Sequence, residues 1–225
     1  MHLYLIRHAE SENNAKPAYQ RVEDPGLTPV GHLQSQHLAT WLETLKFDVL
    51  ITSPFRRALQ TIKHFIDASP RQIDVWHDVF ERGGCFRGHG PQATQGGEGL
   101  GRNEIGSFLQ CDPSLVTIDE TISENGWWYR KARETDSEAK RRAKVVRQRV
   151  VDTFGQTQQS VVVVSHADFI ELLLAEIFAG VLDTSSVGLL RNTGITRLNF
   201  SGDQWELDWL NSVSHLPAKL SVPRA

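Results

Sequence analysis

Two histidines, His8 and His166, each stand at the end of an aliphatic run, and each has a polar neighbour suited to phosphate. His8 follows Arg7; His166 follows Ser165 and precedes Asp168 by two positions. A third apolar run is followed by Ser53, Arg56 and Arg57, and a fourth by Glu81, four residues beyond His77. A planar guanidinium fork matches phosphate oxygens two at a time. An unprotonated imidazole nitrogen attacks phosphorus, and a carboxyl group hands a proton to a leaving oxygen. Gathered at one rim, these residues describe an anion site capable of phosphoryl transfer. Taken singly each has a plainer reading: a satisfied structural histidine, a surface glutamate, a solvated arginine. Other phosphate signatures are missing. No Gly-x4-Gly-Lys-Ser/Thr loop occurs, Gly97 to Gly101 follows no strand, and there is no Gly-x-Ser-x-Gly elbow.

The elements that must position these groups are legible as periodicity. Leu3 to Ile6, Val49 to Ile51 and Val161 to Val164 are near-continuous aliphatic runs, the pattern of strands buried on both faces. Ile73 to Trp76 forms a fourth strand. Thr28-Pro29 pairs a capping residue with proline at the first helical position and predicts a helix to about Leu45. Ser53-Pro54 repeats that start signal, with Ala58, Leu59, Ile62, Phe65 and Ile66 on one face. Further helices are expected over Ser137–Phe154 and Phe169–Ala179. Ile195–Phe200 and Trp205–Leu210 flank a Ser201-Gly202-Asp203 turn and predict a hairpin. Strands alternating with helices give an α/β three-layer sandwich, a mostly parallel central sheet with helices on both faces. In such sheets ligands bind beyond the carboxyl ends of the strands, where all the groups above lie.

Nine of the 17 glycines fall between Gly83 and Gly106. Structureless loops beyond about 12–15 residues are uncommon in compact domains. Trp127, Trp128 and Tyr129 follow closely and need a packing surface, so residues 82–135 are expected to form a cap or lid inserted after the third strand of a single domain, 1–225. The last ten residues, Leu216 to Ala225, read as a weakly anchored terminus. The cluster Lys140-Arg141-Arg142, Lys144, Arg147 and Arg149 lies opposite its helix's apolar stripe and reads as a solvated face.

The chain has 225 residues, 40% hydrophobic and 23% charged, with 24 Lys and Arg against 27 Asp and Glu. That composition excludes collagen, coiled-coil rods and wholesale disorder. The net charge of −3 disfavours a duplex-binding protein, so no nucleic-acid partner is expected. No window of eighteen apolar residues predicts a membrane span. The apolar N-terminal run is too short for a signal peptide. Cys85 and Cys111, without a CxxC pattern, are expected as reduced thiols of a cytoplasmic protein, which makes the Asn199-Phe200-Ser201 sequon incidental. No residue pattern specifies an oligomer.

Four segments carry a family resemblance. Arg7-His8-Ala9-Glu10-Ser11-Glu12-Asn13-Asn14 resembles the RHGESxxN signature of the histidine phosphatase (phosphoglycerate mutase-like) superfamily. Gly26 to Gly31 is similar to its LTxxG segment, Ser53 to Thr61 to its SPxxRAxQT segment, and Val164 to Asp168 to its VSHGD segment. The resemblance covers about residues 1–81 and 136–200. Ala9 and Ala167 replace the usual glycines; both are small, so backbone adjustment is expected without loss of chemistry.

The resemblance implies roles. His8 becomes phosphohistidine; Arg7 and Arg57, selected over Arg56, clamp phosphate; His166 donates to the phosphoryl oxygens; Asn14 is the substrate-side asparagine. Glu81 matches the position of the general acid, with Glu98, Glu104 and Asp78 as fallbacks. No metal and no cofactor are implied, the rival being a metal site built from His8, His166 and Asp168. His2, His32, His37, His64, His77, His89 and His215 share no spacing and read as structural or surface residues. The expected activity is hydrolysis of a phosphomonoester, a phosphorylated small molecule or phosphopeptide. Two alternatives stand beside it. A phosphoglycerate mutase would carry an ERHYGxLxGLNK-type segment, where this chain has Glu81-Arg82-Gly83-Gly84-Cys85-Phe86-Arg87-Gly88. A non-catalytic phospho-ligand binding module would not need His8, Glu81 and His166 together.

Overall fold

Val161 to Val164 points alternate side chains into two separate cores, and this divides the molecule into layers. In the computed structural model, which describes residues 1–86, 93, 95–179, 181 and 188–221, these valines belong to β5 (Ser160–Ser165). Val162 and Val164 pack with Leu38, Leu42, Ile62 and Phe65 from α2 (Pro29–Thr44) and α3 (Arg56–Ala68). Val161 and Val163 pack with Val146, Val150, Ile170 and Leu173 from α5 (Asp136–Phe154) and α6 (Ala167–Ile177). Both faces of the sheet are covered by helices, which is why its central strands read as unbroken aliphatic runs.

The other strands are β1 (His2–Arg7), β2 (Val49–Thr52), β3 (Ile73–Val75), β4 (Val116–Ile118), β6 (Ile195–Ser201) and β7 (Gln204–Ser212). They join β5 in one sheet in the order β4-β3-β2-β5-β1-β6-β7. The first five in that order run parallel, and β6 and β7 form the expected antiparallel hairpin at the edge. The carboxyl ends of β1, β2, β3 and β5 therefore open on one rim. Short helices α1 (Glu12–Ala15), α4 (Arg102–Leu109) and α7 (Ala218–Ser221) complete the set. Thr28 caps α2 by accepting from Gly31 N at 3.0 Å, with Pro29 in the first turn. Gly31 is required there, because a Cβ would lie 2.0 Å from the Glu10 carbonyl oxygen.

Several expectations need correction. Helix α3 starts at Arg56, after Phe55, and not at Pro54. Its first N–H is taken by Asp24 Oδ1 at 3.0 Å, while the Ser53 hydroxyl turns instead to His166 Nε2 at 2.7 Å. Helix α6 begins at Ala167, directly against His166. Within the segment 82–135, β4 extends the sheet beside β3, and Trp127 and Trp128 find the packing surface expected for them, 1% and 4% exposed within the α2–α3 core. The glycines make room for these indoles. A Cβ on Gly84 (φ +82°) would lie 2.2 Å from the Trp128 ring, and one on Gly99 (φ +68°) 2.3 Å from Trp127 Nε1. The chain end is anchored as far as Ser221: Leu216 and Leu220 are buried, and the Leu220 carbonyl accepts from Gln34 Nε2 at 3.0 Å. Residues 222–225 and His89 lie outside the described residues. The basic face of α5 is not uniformly solvated either. Arg142 is buried against Glu134, and Arg149 lies 3.1 Å from both Asp78 and Asp119 and 3.7 Å over the Trp76 ring.

Candidate active site

Strand β1 ends by delivering Arg7 and His8 to the rim, and both are buried. His8 Nδ1 lies 2.7 Å from the Ala9 carbonyl oxygen, which fixes the proton on that nitrogen. The other nitrogen, Nε2, is then unprotonated and accepts from Arg57 Nε at 3.2 Å. Burial, reinforced by Arg57 and Arg7, holds the His8 pKa well below that of free imidazole, against the opposing pull of the Ala9 carbonyl. Arg57 is itself held flat, its guanidinium carbon 3.9 Å from the Phe55 ring centre.

His166 follows β5 and is fully buried, its ring centre 5.1 Å from that of His8. Ser53, after β2, meets its Nε2 at 2.7 Å, and Nδ1 has no protein partner. When the Ser53 hydroxyl donates to Nε2, the imidazole proton resides on Nδ1. Burial and the nearby Arg57 and His8 lower the His166 pKa as well.

Glu81 arrives from the turn after β3. Its Oε1 accepts from Arg82 N at 2.8 Å and from Phe169 N, in the first turn of α6, at 3.2 Å. Burial and then Asp168 push its pKa up to about 7, over the opposing influence of Arg57, the Arg82 N–H and Arg7. A carboxyl poised there can give and take a proton near neutrality. The fallback acids are engaged elsewhere: Asp78 with Arg149, Glu98 with Arg130, and Glu104 with the amide of Gly101.

Arg7, His8, Asn14, Arg57, Glu81 and Asp168 line one cavity of about 330 Å³, and His166, fully buried, packs beside His8. All six sequence-selected site residues are thus brought together. Ala9 and Ala167 are accommodated without positive φ. Arg21, Phe86, Arg133 and Leu189 stand around the cavity.

Other contributors were not apparent from spacing. Asn192 Nδ2 donates to the His8 carbonyl at 3.0 Å and to Asn14 Oδ1 at 3.3 Å. Asn14 Oδ1 also accepts from Ser11 N and Ser11 Oγ, each at 3.0 Å, which leaves the Asn14 amide hydrogens for a ligand. Thr193 N donates to the Arg7 carbonyl at 3.0 Å, and Arg7 Nη1 donates to the Leu190 carbonyl. Thr193 holds φ +54°, an unfavourable value for a β-branched residue, in this clasp around the histidine segment. Asp24 caps α3 beside Arg57. In the sequence it was only a residue two positions before a glycine-leucine pair.

Comparison with known proteins places this arrangement. The family model described as "Histidine phosphatase superfamily (branch 1)" matches residues 3–96 and 117–213. A protein named "Putative phosphoserine phosphatase 2" from Hydrogenobacter thermophilus is 26% identical over 216 residues, 95% of this chain and 96% of its own length. A 2,3-bisphosphoglycerate-dependent phosphoglycerate mutase of Brucella ovis is 40% identical, but over 67 residues, 29% of this chain and 32% of that protein. The crystal structure of a phosphoserine phosphatase from Entamoeba histolytica in complex with 3-phosphoglyceric acid superposes with a TM-score of 0.65 at 23% identity, covering 96% of this chain and 99% of that one.

Proposed function

The chain belongs to branch 1 of the histidine phosphatase superfamily, and from that premise we propose that it is a phosphomonoesterase acting on small phosphorylated metabolites through phosphohistidine at His8. The observation that carries this reading is the state of His8: Nδ1 tied to the Ala9 carbonyl, Nε2 unprotonated and facing Arg57 within the cavity. His8 Nε2 attacks phosphorus while the bond to the leaving oxygen breaks, and Glu81 passes its proton to that oxygen. Water then attacks the phosphohistidine, gives a proton to the Glu81 carboxylate, and the P–N electron pair returns to Nε2. Arg7, Arg57, Asn14 and His166 bind the phosphoryl oxygens as charge shifts onto them.

The positive groups facing the phosphoryl oxygens are guanidiniums, and no step is assigned to a metal. A cytoplasmic setting is supported by the free thiols Cys85 and Cys111. The relative named for phosphoserine favours an alkyl phosphate on a small acid, and Arg21, beside the cavity, is placed to meet a second negative group. We propose that Arg82, Gly84, Phe86 and Arg133, which line the cavity, are the part of the 82–135 segment that acts as a lid.

Mutase activity is the second reading, favoured by the local Brucella match. It is disfavoured by Glu81-Arg82-Gly83-Gly84-Cys85-Phe86, which does not resemble the mutase segment. Acid quench degrades phosphohistidine, so rapid alkaline denaturation during turnover of a labelled substrate is the test. Label should appear on His8 in an acid-labile, alkali-stable linkage, and phosphate should be released without isomerisation of 3-phosphoglycerate. Label on a serine, or activity surviving His8→Ala, rejects the mechanism.

A further inference from the structure

Glu81 is flanked on both sides by backbone held from one buried ion pair that the reaction itself does not use. Arg142, on α5, meets Glu134 through two bonds of 2.7 Å, Nε to Oε1 and Nη2 to Oε2. Both side chains are nearly dry, 9% and 7% exposed. Arg142 Nη1 donates at 2.9 Å to two carbonyls, those of Asp78 and Phe80. Glu134 Oε2 accepts from Gly83 N at 3.2 Å, and Glu134 N donates to the Gly83 carbonyl at 3.1 Å. The residue before Glu81 and the residue two after it are therefore both fixed to the same pair. The guanidinium also lies 3.7 Å from the Phe80 ring centre and 4.3 Å from that of Phe169, whose N–H binds Glu81 Oε1.

We propose that Arg142 and Glu134 are positioning residues for the Glu81 carboxyl group. The proposal rests on the reading of Glu81 as proton donor. A buried ion pair is seldom a net gain in stability over well-packed apolar side chains. This one spends four of the five guanidinium donors on a carboxylate and two carbonyls in a fixed fork. Lysine cannot reproduce that fork, because its ammonium is a single point with freely turning donors. Removing the fork frees the turn over 78–83, and displacement of a catalytic group by about 1 Å costs on the order of 100-fold in rate.

The test is a double-mutant cycle read in single-turnover bursts. An alkyl phosphate needs a proton at its leaving oxygen, whereas p-nitrophenyl phosphate does not. Arg142→Lys should slow phosphorylation by the alkyl ester roughly 10- to 100-fold and by the aryl ester less than about 3-fold. In a Glu81→Gln background the same change should have almost no effect on either ester. Vanadate affinity, which reports the phosphoryl pocket, should stay within about 3-fold of the wild type. Glu134→Gln keeps volume and carries the same expectation should Arg142→Lys fail to fold. Equal losses for both esters, or a loss that persists in the Glu81→Gln background, overturn the proposal, the second by tracing the effect to His166 or to general loosening. If Glu81→Gln alone shows no dependence on the leaving group, the proton-donor reading falls and the positioning proposal falls with it.

Discussion

Arg57 Nε donates to His8 Nε2 across 3.2 Å while His8 Nδ1 is held 2.7 Å from the Ala9 carbonyl. The imidazole is thus locked neutral, with its lone pair directed at a guanidinium until phosphate arrives to compete for it. Burial and the two arginines keep it neutral well into acid. The ring resonances of His8 should therefore titrate well below the range of a free imidazole in NMR spectra, and a midpoint near 6.5 would contradict the lock. Arg57→Ala should lower kcat about 10²- to 10³-fold, the cost of one transition-state donor. Arg57→Lys should recover little, since lysine loses both the fork and the 3.9 Å stacking on Phe55.

The Glu81 carboxyl, raised to about 7 by burial and Asp168, makes two pH predictions. In the proposed mechanism its protonated form is the acid, so single-turnover phosphorylation by an alkyl phosphate should fall as pH rises through about 7. That limb should vanish in Glu81→Gln, along with about 10²- to 10⁴-fold of rate. For stability the sign follows from linkage. A folded pKa above the unfolded value means that the folded form is favoured below the unfolded pKa and loses that advantage as pH passes the folded pKa. Glu81→Gln should then raise the melting temperature relative to wild type at pH 8, with the gap closing towards pH 4. A constant gap across that range would show that Glu81 ionises as freely in the folded protein as in the unfolded chain.

Ser53 sets which nitrogen of His166 carries the proton. Its hydroxyl lies 2.7 Å from Nε2, and Nδ1 is the buried atom without a protein partner. Ser53→Ala removes the donor that favours the Nδ1–H tautomer. The expected cost is about 10-fold in kcat/KM, of the order of one neutral hydrogen bond, with vanadate affinity falling in parallel. Ser53→Thr, which restores the hydroxyl, should recover most of it. If Ser53→Ala left vanadate binding unchanged, His166 would not depend on this bond.

The parallel sheet and its rim were legible because β1, β2 and β5 are buried on both faces and leave almost no polar interruption. The rim residues were legible because the motifs lie at strand ends, where chain direction alone delivers them to one place. What spacing could not carry was contact across long separations. Asn192 meets His8 from 184 positions away, and a polar cluster ahead of β6 gives no sign of it. Arg142 read as one more charge on a solvated helix face, because helical periodicity sees which face is apolar and not that Glu134 folds back onto it. Ser53 read as a helix cap because Ser-Pro is a good start signal; Asp24, brought from another loop, takes the Arg56 N–H, while the Ser53 hydroxyl oxygen accepts from Phe55 N at 3.4 Å and meets His166 Nε2. The glycine-rich stretch suggested a lid. Its composition is explained in part by indoles that leave no room for a Cβ at Gly84 and Gly99.

That last distinction separates two kinds of aromatic near the site. Trp127 is 1% exposed and stands edge-on to Phe55 with ring centres 4.6 Å apart; Phe55 in turn lies beneath Arg57 and 4.9 Å from the His166 ring. Trp127 thus supports Arg57 and His166 through one shared ring, from behind a Phe55 that lines the cavity, and does not itself line it. Trp127→Ala should cost about 3–5 kcal/mol of stability, as for large aromatic truncations in cores, and reduce kcat/KM for all phosphate esters by a common factor. Leu189 is the opposite case: it is 70% exposed and lines both the main cavity and the adjoining one of about 250 Å³. Leu189→Ala should leave the melting temperature within about 1 °C, since exposed truncations rarely exceed ±0.5 kcal/mol, yet change the ranking of substrates by size. Kinetics over a panel from glycerol phosphate to bulky aryl phosphates, with thermal melts of the same two variants, checks both. A Trp127→Ala enzyme that discriminates among substrates differently from the wild type would return this residue to the lid, and a Leu189→Ala enzyme with an unchanged ranking would remove Leu189 from substrate contact.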